Sequence, residues 1–441
     1  MDRQSPIHSG HSISRQRVSW LPLSHQGRRS LRTEARWRLF LPCAAGVEAL
    51  LCDEIGRLLP GSQVQARRGG VSLMADSAGM MALNLGSRLA QRVLLQLADG
   101  PYRDEADLYM LARRVNWSEW ITPRHTLRVD TTAQRSPLRS LNFAALRIKD
   151  AVCDQLRETQ GARPDVDTRA PDLPLLLHLG AQRATLYVDT SGEALFKRGW
   201  REDKGDAPLK ETLAAAMLAA AGWRGTPEAG GALLDPCCGS GTIAIEAAQI
   251  ACSIAPGLQR RFAFERLLPF ATPEMRALMQ RLKSQASARV QASAVPIFAS
   301  DVSFRMLDFA RRNAQRAGVA AAIEFHGGDA LERPAPALPP ELRGTLMLNP
   351  PYGERIMVAG KAARPSAEDR DLPGDFFPRL AAHWKRAYTQ HPAGWTAWVL
   401  SPDMKLPGAM RLKASLRVPL WNGPIECRLY RFELVAGSAR D

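Results

Sequence analysis

Asn349-Pro350-Pro351-Tyr352 combines residue types suited to gripping a planar group that carries an NH2. The Asn side-chain oxygen and the Pro350 carbonyl can each accept an amine hydrogen, and the Tyr ring can stack on the plane. The run before it, Leu346-Met347-Leu348, predicts a buried parallel strand. Two successive prolines continue neither a strand nor an ordinary helical turn, so the chain is held rigidly at the strand's end. Open α/β sheets bind their ligands at that end. Taken alone, the tetrapeptide fits a Pro-rich turn equally well, and the rest of the chain must decide.

A second group of residues lies upstream. The apolar strand Ala232-Leu233-Leu234 runs into Asp235-Pro236-Cys237-Cys238-Gly239-Ser240-Gly241-Thr242, and a helix follows from Ile243. Glycines at a strand-to-helix turn let a ligand approach the backbone closely. The turn has no Lys for phosphates and no third Gly, so it is neither a P-loop nor a dinucleotide fingerprint. Asp235 would repel a pyrophosphate but suits a cation. The pattern therefore points to S-adenosylmethionine, with its amine and cationic sulfur, held by Asp235 and the turn residues Cys237, Gly239, Gly241 and Thr242. Further on, Pro296–Ser300 predicts a strand ending at Asp301, where an acid can accept both ribose hydroxyls. Asp329 follows the strand Ile323–His326 and can accept from the adenine N6 amine. Each acid alone also fits a cap or a turn. Taken in order at successive strand ends, and followed by Asn349, they form one cofactor site.

The elements that must position these residues fall into regions of different texture. Residues 1–34 are rich in Ser, Arg, His and Gln without apolar periodicity, which predicts a disordered basic tail. A strand at Trp37–Pro42, a helix at Gly46–Ile55, a strand at Gly69–Met74 and a helix at Leu83–Leu97 predict a small α+β unit. Next come a strand at Thr126–Thr131, a long helix at Asn142–Thr159 and a hairpin of Leu175–Leu179 with Ala184–Asp189. Arg124, Arg128, Arg147 and Lys149 in this stretch form either a phosphate-binding face or a solvated one. From about Ser191 helices alternate with Val/Ile/Leu-rich strands, the texture of a doubly wound sheet. Asn422-Gly423 near the end predicts a hairpin, so the last two strands should be antiparallel.

Composition narrows the functional classes. The 441 residues imply two or three domains, and the net charge of +15 implies a polyanionic partner, nucleic acid before an anionic membrane surface. No apolar stretch is long enough to span a membrane. The seven cysteines contain no C-x-x-C and the histidines no metal spacing, so no metal site and a reducing, cytoplasmic setting are expected.

The chain resembles the class I S-adenosylmethionine-dependent methyltransferases that carry an N-P-P-Y motif. More closely, it resembles the THUMP-containing 23S rRNA guanine-N2 methyltransferases. The resemblance is carried by Asp189–Gly192, Phe196–Arg201, Ala207–Glu211, Asn349–Arg355 and Asn422–Leu429, and it extends over roughly residues 37 to 435. It implies an α/β protein with a ferredoxin-like segment (35–85), a THUMP RNA-binding domain (86–190) and a seven-stranded Rossmann-like catalytic domain with one reversed strand (191–436). It also implies RNA as partner, either 23S rRNA or a large-subunit precursor, with Lys210 and Arg355 as further RNA or cofactor contacts. Longer members of the family carry a second, 7-methylguanine-forming domain that this sequence does not include. Methylation of another RNA such as tRNA, of DNA adenine or of a protein glutamine stands as the enzymatic alternative. A non-catalytic RNA-binding assembly factor is the alternative from another class.

Overall fold

The computed structural model describes residues 36–205, 208–350 and 376–434. The basic N-terminal segment, Pro351, Tyr352 and Arg355 lie outside the described residues.

The front half is built on a single sheet. Its elements are β1 (Trp37–Pro42), α1 (Glu48–Leu58), β2 (Val64–Arg67), β3 (Gly70–Ala75), α2 (Ser77–Gly86), β4 (Leu94–Pro101), α3 (Glu105–Arg113), β5 (Thr126–Ala133), α4 (Leu141–Gln160), β6 (Asp165–Val166), β7 (Leu173–Leu179) and β8 (Arg183–Asp189). The eight strands run in the order β2-β3-β1-β4-β8-β7-β5-β6. β4 is the joint, antiparallel to β1 on one side and to β8 on the other. The long helix α4 starts at Ser140, whose hydroxyl accepts from the Phe143 N–H at 3.2 Å, and stops at Gly161 with φ +79°.

The helix expected over Leu83–Leu97 is not there. Asp76 caps α2 earlier, accepting from the Gly79 N–H at 2.7 Å, and the helix ends at Gly86. Beyond it the Glu54 carboxylate accepts from the Ser87 hydroxyl (2.6 Å) and from the backbone N–H groups of Arg88 (2.8 Å) and Leu89 (3.3 Å). Those bonds draw the chain out of helical conformation. Leu94 onward then pairs as the central strand, so tertiary pairing overrides the local apolar spacing.

The second half contains α5 (Glu211–Ala220), β9 (Ala232–Asp235), α6 (Thr242–Ala251), α7 (Pro273–Ala288), β10 (Ile297–Asp301), α8 (Phe304–Arg316), β11 (Glu324–Gly327), β12 (Gly344–Leu348), a helix at Phe376–Ala387, and strands β13 (Trp395–Ser401), β14 (Leu416–Asn422) and β15 (Ile425–Leu434). The sheet order is β11-β10-β9-β12-β13-β15-β14, and β15 runs antiparallel to both its neighbours. The two-residue connection between Asn422 and Ile425 makes the expected hairpin. Side chains alternate between two cores: Leu233, Met347 and Trp398 face one, Leu234, Leu346, Leu348 and Val399 the other. Both faces are therefore covered, as a parallel sheet requires.

The long stretch between α6 and β10 ties the halves together. Phe270 meets Trp37 and Trp120 of the front half, each with ring centroids 6.4 Å apart, and Phe264 packs against Phe270 at 6.0 Å. The Gly257 N–H donates to the Leu85 carbonyl at 2.9 Å, and the Leu268 N–H to the Trp120 carbonyl at 3.0 Å. One apolar core runs continuously from β1 to β10. Among the described residues no helix is long and apolar enough to cross a membrane, and no group of three His, Cys, Asp or Glu side chains is arranged to hold a metal ion.

Candidate active site

Parallel pairing sets the candidate residues in a fan over the strand ends. β9 lies between β10 and β12, and the chain crosses to opposite sides of β9 to form them, so a crevice opens at the carboxyl ends there. Ala299 is level with Asp235, which puts Asp301 two residues further out. Asp301 in turn is level with Gly327, so Asp329 also lies beyond its strand. On the other flank Leu346 is level with Leu234, and Asn349 follows β12 with partial exposure, ahead of the buried Pro350.

The turn after β9 is shaped by its own hydrogen bonds. Asp235 accepts from the Cys237 N–H at 3.2 Å, the Cys238 N–H donates to the Ser300 carbonyl at 2.9 Å, and Asp301 accepts from the Gly239 N–H at 2.8 Å and the Ser303 N–H at 2.9 Å. Asp329 accepts from the Leu331 N–H at 2.9 Å. The two glycines differ in purpose. Gly241 (φ +89°) starts α6 where a Cβ would stand 3.0 Å from that of Ala310, so it allows helix packing. At Gly239 (φ +53°) no described residue lies within 4 Å of a Cβ position, so the backbone there borders space that a ligand can enter.

Charge at this end is one-sided. Among the described residues Asp235, Asp301 and Asp329 have no cation within ion-pair distance. Asp235 is 1% exposed, and burial, followed by repulsion from Asp301, raises its pKa well above the ordinary carboxylate range. Burial raises Asp301 as well. The Cys237 thiol is pushed up first by burial and then by Asp235, Asp301 and Asp329, so all three acids surround this one turn. A site that buries carboxylates without a counter-charge favours a cationic ligand. S-adenosylmethionine, with sulfonium and ammonium groups at one end and hydroxyls and an amine at the other, fits this donor set.

Other candidates are engaged differently. The Thr242 hydroxyl accepts from Arg201 at 2.7 Å and so faces the protein. Lys210 precedes α5 with its ammonium 5.3 Å from the Phe196 ring centroid. Arg128 pairs with Asp130 at 2.7 Å, and Lys149 and Arg147 lean on Asp150 at 2.9 and 3.7 Å. Arg124 is exposed in the loop before β5.

Sequence reasoning missed the charges that hold this site from behind. Glu246, on α6, accepts from Arg198 Nε at 3.0 Å and from Arg88 at 3.2 Å. Arg201 reaches Glu211, Ser240 and Thr242. The signal was an acid inside the apolar run Ile243–Ala248, which is buried only when paired.

Comparison with known proteins agrees with this architecture. Residues 38–94 match the RlmL ferredoxin-like domain, 102–189 the THUMP domain, and 198–431 the RMKL-like methyltransferase domain. The chain is 36% identical over 414 residues to the ribosomal RNA large subunit methyltransferase K/L of Aeromonas hydrophila, covering 90% of this chain and 54% of the relative. It is 37% identical over 402 residues to the protein of the same name from Syntrophotalea carbinolica, covering 91% of this chain and 54% of the relative. The chain thus spans about half the length of the curated relatives it matches. Among solved structures, a putative methyltransferase, SMU.472, complexed with SAH superposes with a TM-score of 0.76 at 26% identity, covering 92% of this chain and 99% of that one. A possible methylase from Clostridium difficile 630 does so with a TM-score of 0.76 at 27% identity, covering 92% and 100%. The catalytic match takes in more than half of the residues, and the chain belongs to the RMKL-like methyltransferase family.

Proposed function

We propose that this protein transfers a methyl group from S-adenosylmethionine to the exocyclic N2 of a guanine in 23S rRNA. The observation that carries the reading is the trio of carboxylates at adjacent strand ends, without a cationic partner among the described residues and flanked by Asn349 across the crevice between β9 and β12. When bound there, the cofactor supplies an electrophilic methyl group. Asp235 and the turn around Gly239 hold its cationic end, Asp301 its ribose and Asp329 its adenine amine. Asn349 and the Pro350 carbonyl accept the hydrogens of the target amine. That orients the nitrogen lone pair, otherwise delocalised into the ring, toward the methyl. Tyr352 stacks on the extruded base and offsets part of the unstacking cost, roughly 1–3 kcal/mol per stacked base. Alignment, rather than a strong base, carries much of the rate.

The THUMP match and the rRNA methyltransferase names of the relatives favour RNA over DNA adenine or a glutamine amide. The basic residues of the front half supply phosphate contacts, and they come from Arg124, Arg128, Arg147 and Lys149. Incubating the protein with tritiated S-adenosylmethionine and rRNA from a strain lacking the gene tests the reading. Label in N2-methylguanosine of 23S rRNA is the expected result. Label in another nucleoside overturns the assigned acceptor, and no label at saturating cofactor overturns the enzyme.

A further inference from the structure

The segment between the two halves carries two arginines three residues apart, and both grip α6. Arg198 reaches Glu246 in the body of the helix at 3.0 Å. Arg201 reaches the helix's first residue, donating to the Thr242 hydroxyl at 2.7 Å and, with its other terminal nitrogen, to the Ser240 hydroxyl at 2.8 Å. Its Nε donates to Glu211 at 2.7 Å, and its guanidinium stacks 4.9 Å from the Trp200 ring centroid. All three nitrogens are used, so the planar fork is fixed in one orientation. Asn313 of α8 adds a second latch, donating to the Ser240 carbonyl at 3.1 Å and to the Asp203 carbonyl at 2.8 Å. Ser240 is therefore held by side chain and backbone, from two elements.

These contacts fall on the turn of Gly239 and Gly241. A turn with two left-handed glycines has many alternative conformations unless something outside it selects one. The hydroxyls of Ser240 and Thr242 both face the arginine. Two polar side chains beside a ligand cleft are thus used to anchor backbone.

We infer that Arg201 is a positioning residue for methyl-donor binding: its guanidinium, through Ser240 and Thr242, fixes the glycine turn in the conformation that receives the cofactor. The inference rests on the reading of that turn as the S-adenosylmethionine site. It assigns the junction segment a part in cofactor affinity beyond joining two domains.

The test is a mutant cycle on the full chain, read by calorimetry with S-adenosylmethionine and by KM and kcat for transfer to an unmodified 23S rRNA transcript. Arg201→Lys keeps the charge beside Glu211 but cannot span two hydroxyls. Ser240→Ala/Thr242→Val removes the hydroxyls while leaving the Arg201–Glu211 pair intact. Each weakens cofactor binding about ten- to a hundred-fold, the loss of one or two hydrogen bonds to a charged group. The combined variant is no weaker than the worse of the two, because all act through one contact. The KM for cofactor rises while kcat at saturating cofactor and the KM for RNA stay within about two-fold, a split that a general loss of structure does not produce.

Unchanged cofactor affinity in Ser240→Ala/Thr242→Val overturns the inference, as does a combined effect equal to the product of the separate ones. Absence of S-adenosylmethionine binding by the wild-type chain overturns the cofactor reading itself. If Arg201→Lys fails to fold, the hydroxyl variant alone still decides.

Discussion

Two buried acidic regions of this molecule flank the turn between β9 and α6 and are built on opposite rules. At the junction, Glu246 has a fully buried side chain but lies between Arg198 and Arg88, and Arg198 also donates to the Leu195 and Arg88 carbonyls. At the strand ends, Asp235 is nearly as buried and has one backbone N–H. Both were taken out of water at a cost. Among the described residues, only the first has its opposite charge beside it. The paired acid is architecture, fastening the cofactor helix to the front half. On the proposed reading, the acids without a cationic partner among the described residues form the site, because the missing charge arrives with the ligand.

Removing the architectural acid should have the largest effect. Glu246→Ala strands two buried guanidiniums and should lower unfolding free energy by about 3–5 kcal/mol, read from denaturant midpoints. A loss under about 1 kcal/mol would break the comparison at its structural end. Asp235→Asn should behave in the opposite way. Cofactor affinity should fall roughly ten- to a hundred-fold in calorimetry, while stability is unchanged or higher, since a buried uncompensated charge has gone.

The pH dependence separates the two acids next. The folded pKa of Asp235 lies above its unfolded value, so the folded state binds protons more tightly. Without ligand, this acid's contribution to stability declines as pH rises from the ordinary carboxylate range to the raised pKa. A cationic ligand favours the ionised form. Cofactor affinity should therefore drop as pH falls through that raised pKa, by up to about ten-fold per unit, and Asp235→Asn should flatten the profile. A profile unaltered in the variant would assign the titration elsewhere. The smallest contrast is between the glycines. Alanine at either carries left-handed strain of about 1–2 kcal/mol. Gly241→Ala should lose further stability against Ala310, whereas Gly239→Ala should lose cofactor affinity. Equal stability losses would mean the space over Gly239 is not a ligand's.

Much of this was readable before the fold was seen. Asp235, Asp301 and Asn349 each come at the end of a short apolar run, Asp329 comes after a short strand and turn, and parallel strands must deliver such residues to one end of a sheet. The terminal hairpin was readable because turn chemistry is local, although the two turn residues are Gly423 and Pro424 rather than Asn422 and Gly423, Asn422 pairing with Ile425. What was not readable depends on partners far along the chain. β4 has helical spacing and became a strand because β1 and β8 flank it. Thr242 belongs to a cofactor-type turn, yet its hydroxyl is taken by Arg201, and no periodicity announces a contact across 41 positions. The stretch between α6 and β10 is long for a crossover because its aromatics serve the front half, a role only the packed structure reveals.

The division of labour across the crevice between β9 and β12 can be tested in one variant. Asn349→Ala should be assayed on a single preparation for S-adenosylmethionine affinity by calorimetry and for single-turnover methyl transfer to unmodified 23S rRNA at saturating cofactor. The account predicts cofactor affinity within about two-fold of wild type and transfer slower by roughly 10²–10³-fold, the usual loss when a group that stabilises the reacting centre is removed. Transfer within about ten-fold of wild type, or a loss of cofactor affinity that explains the slower rate, would contradict it.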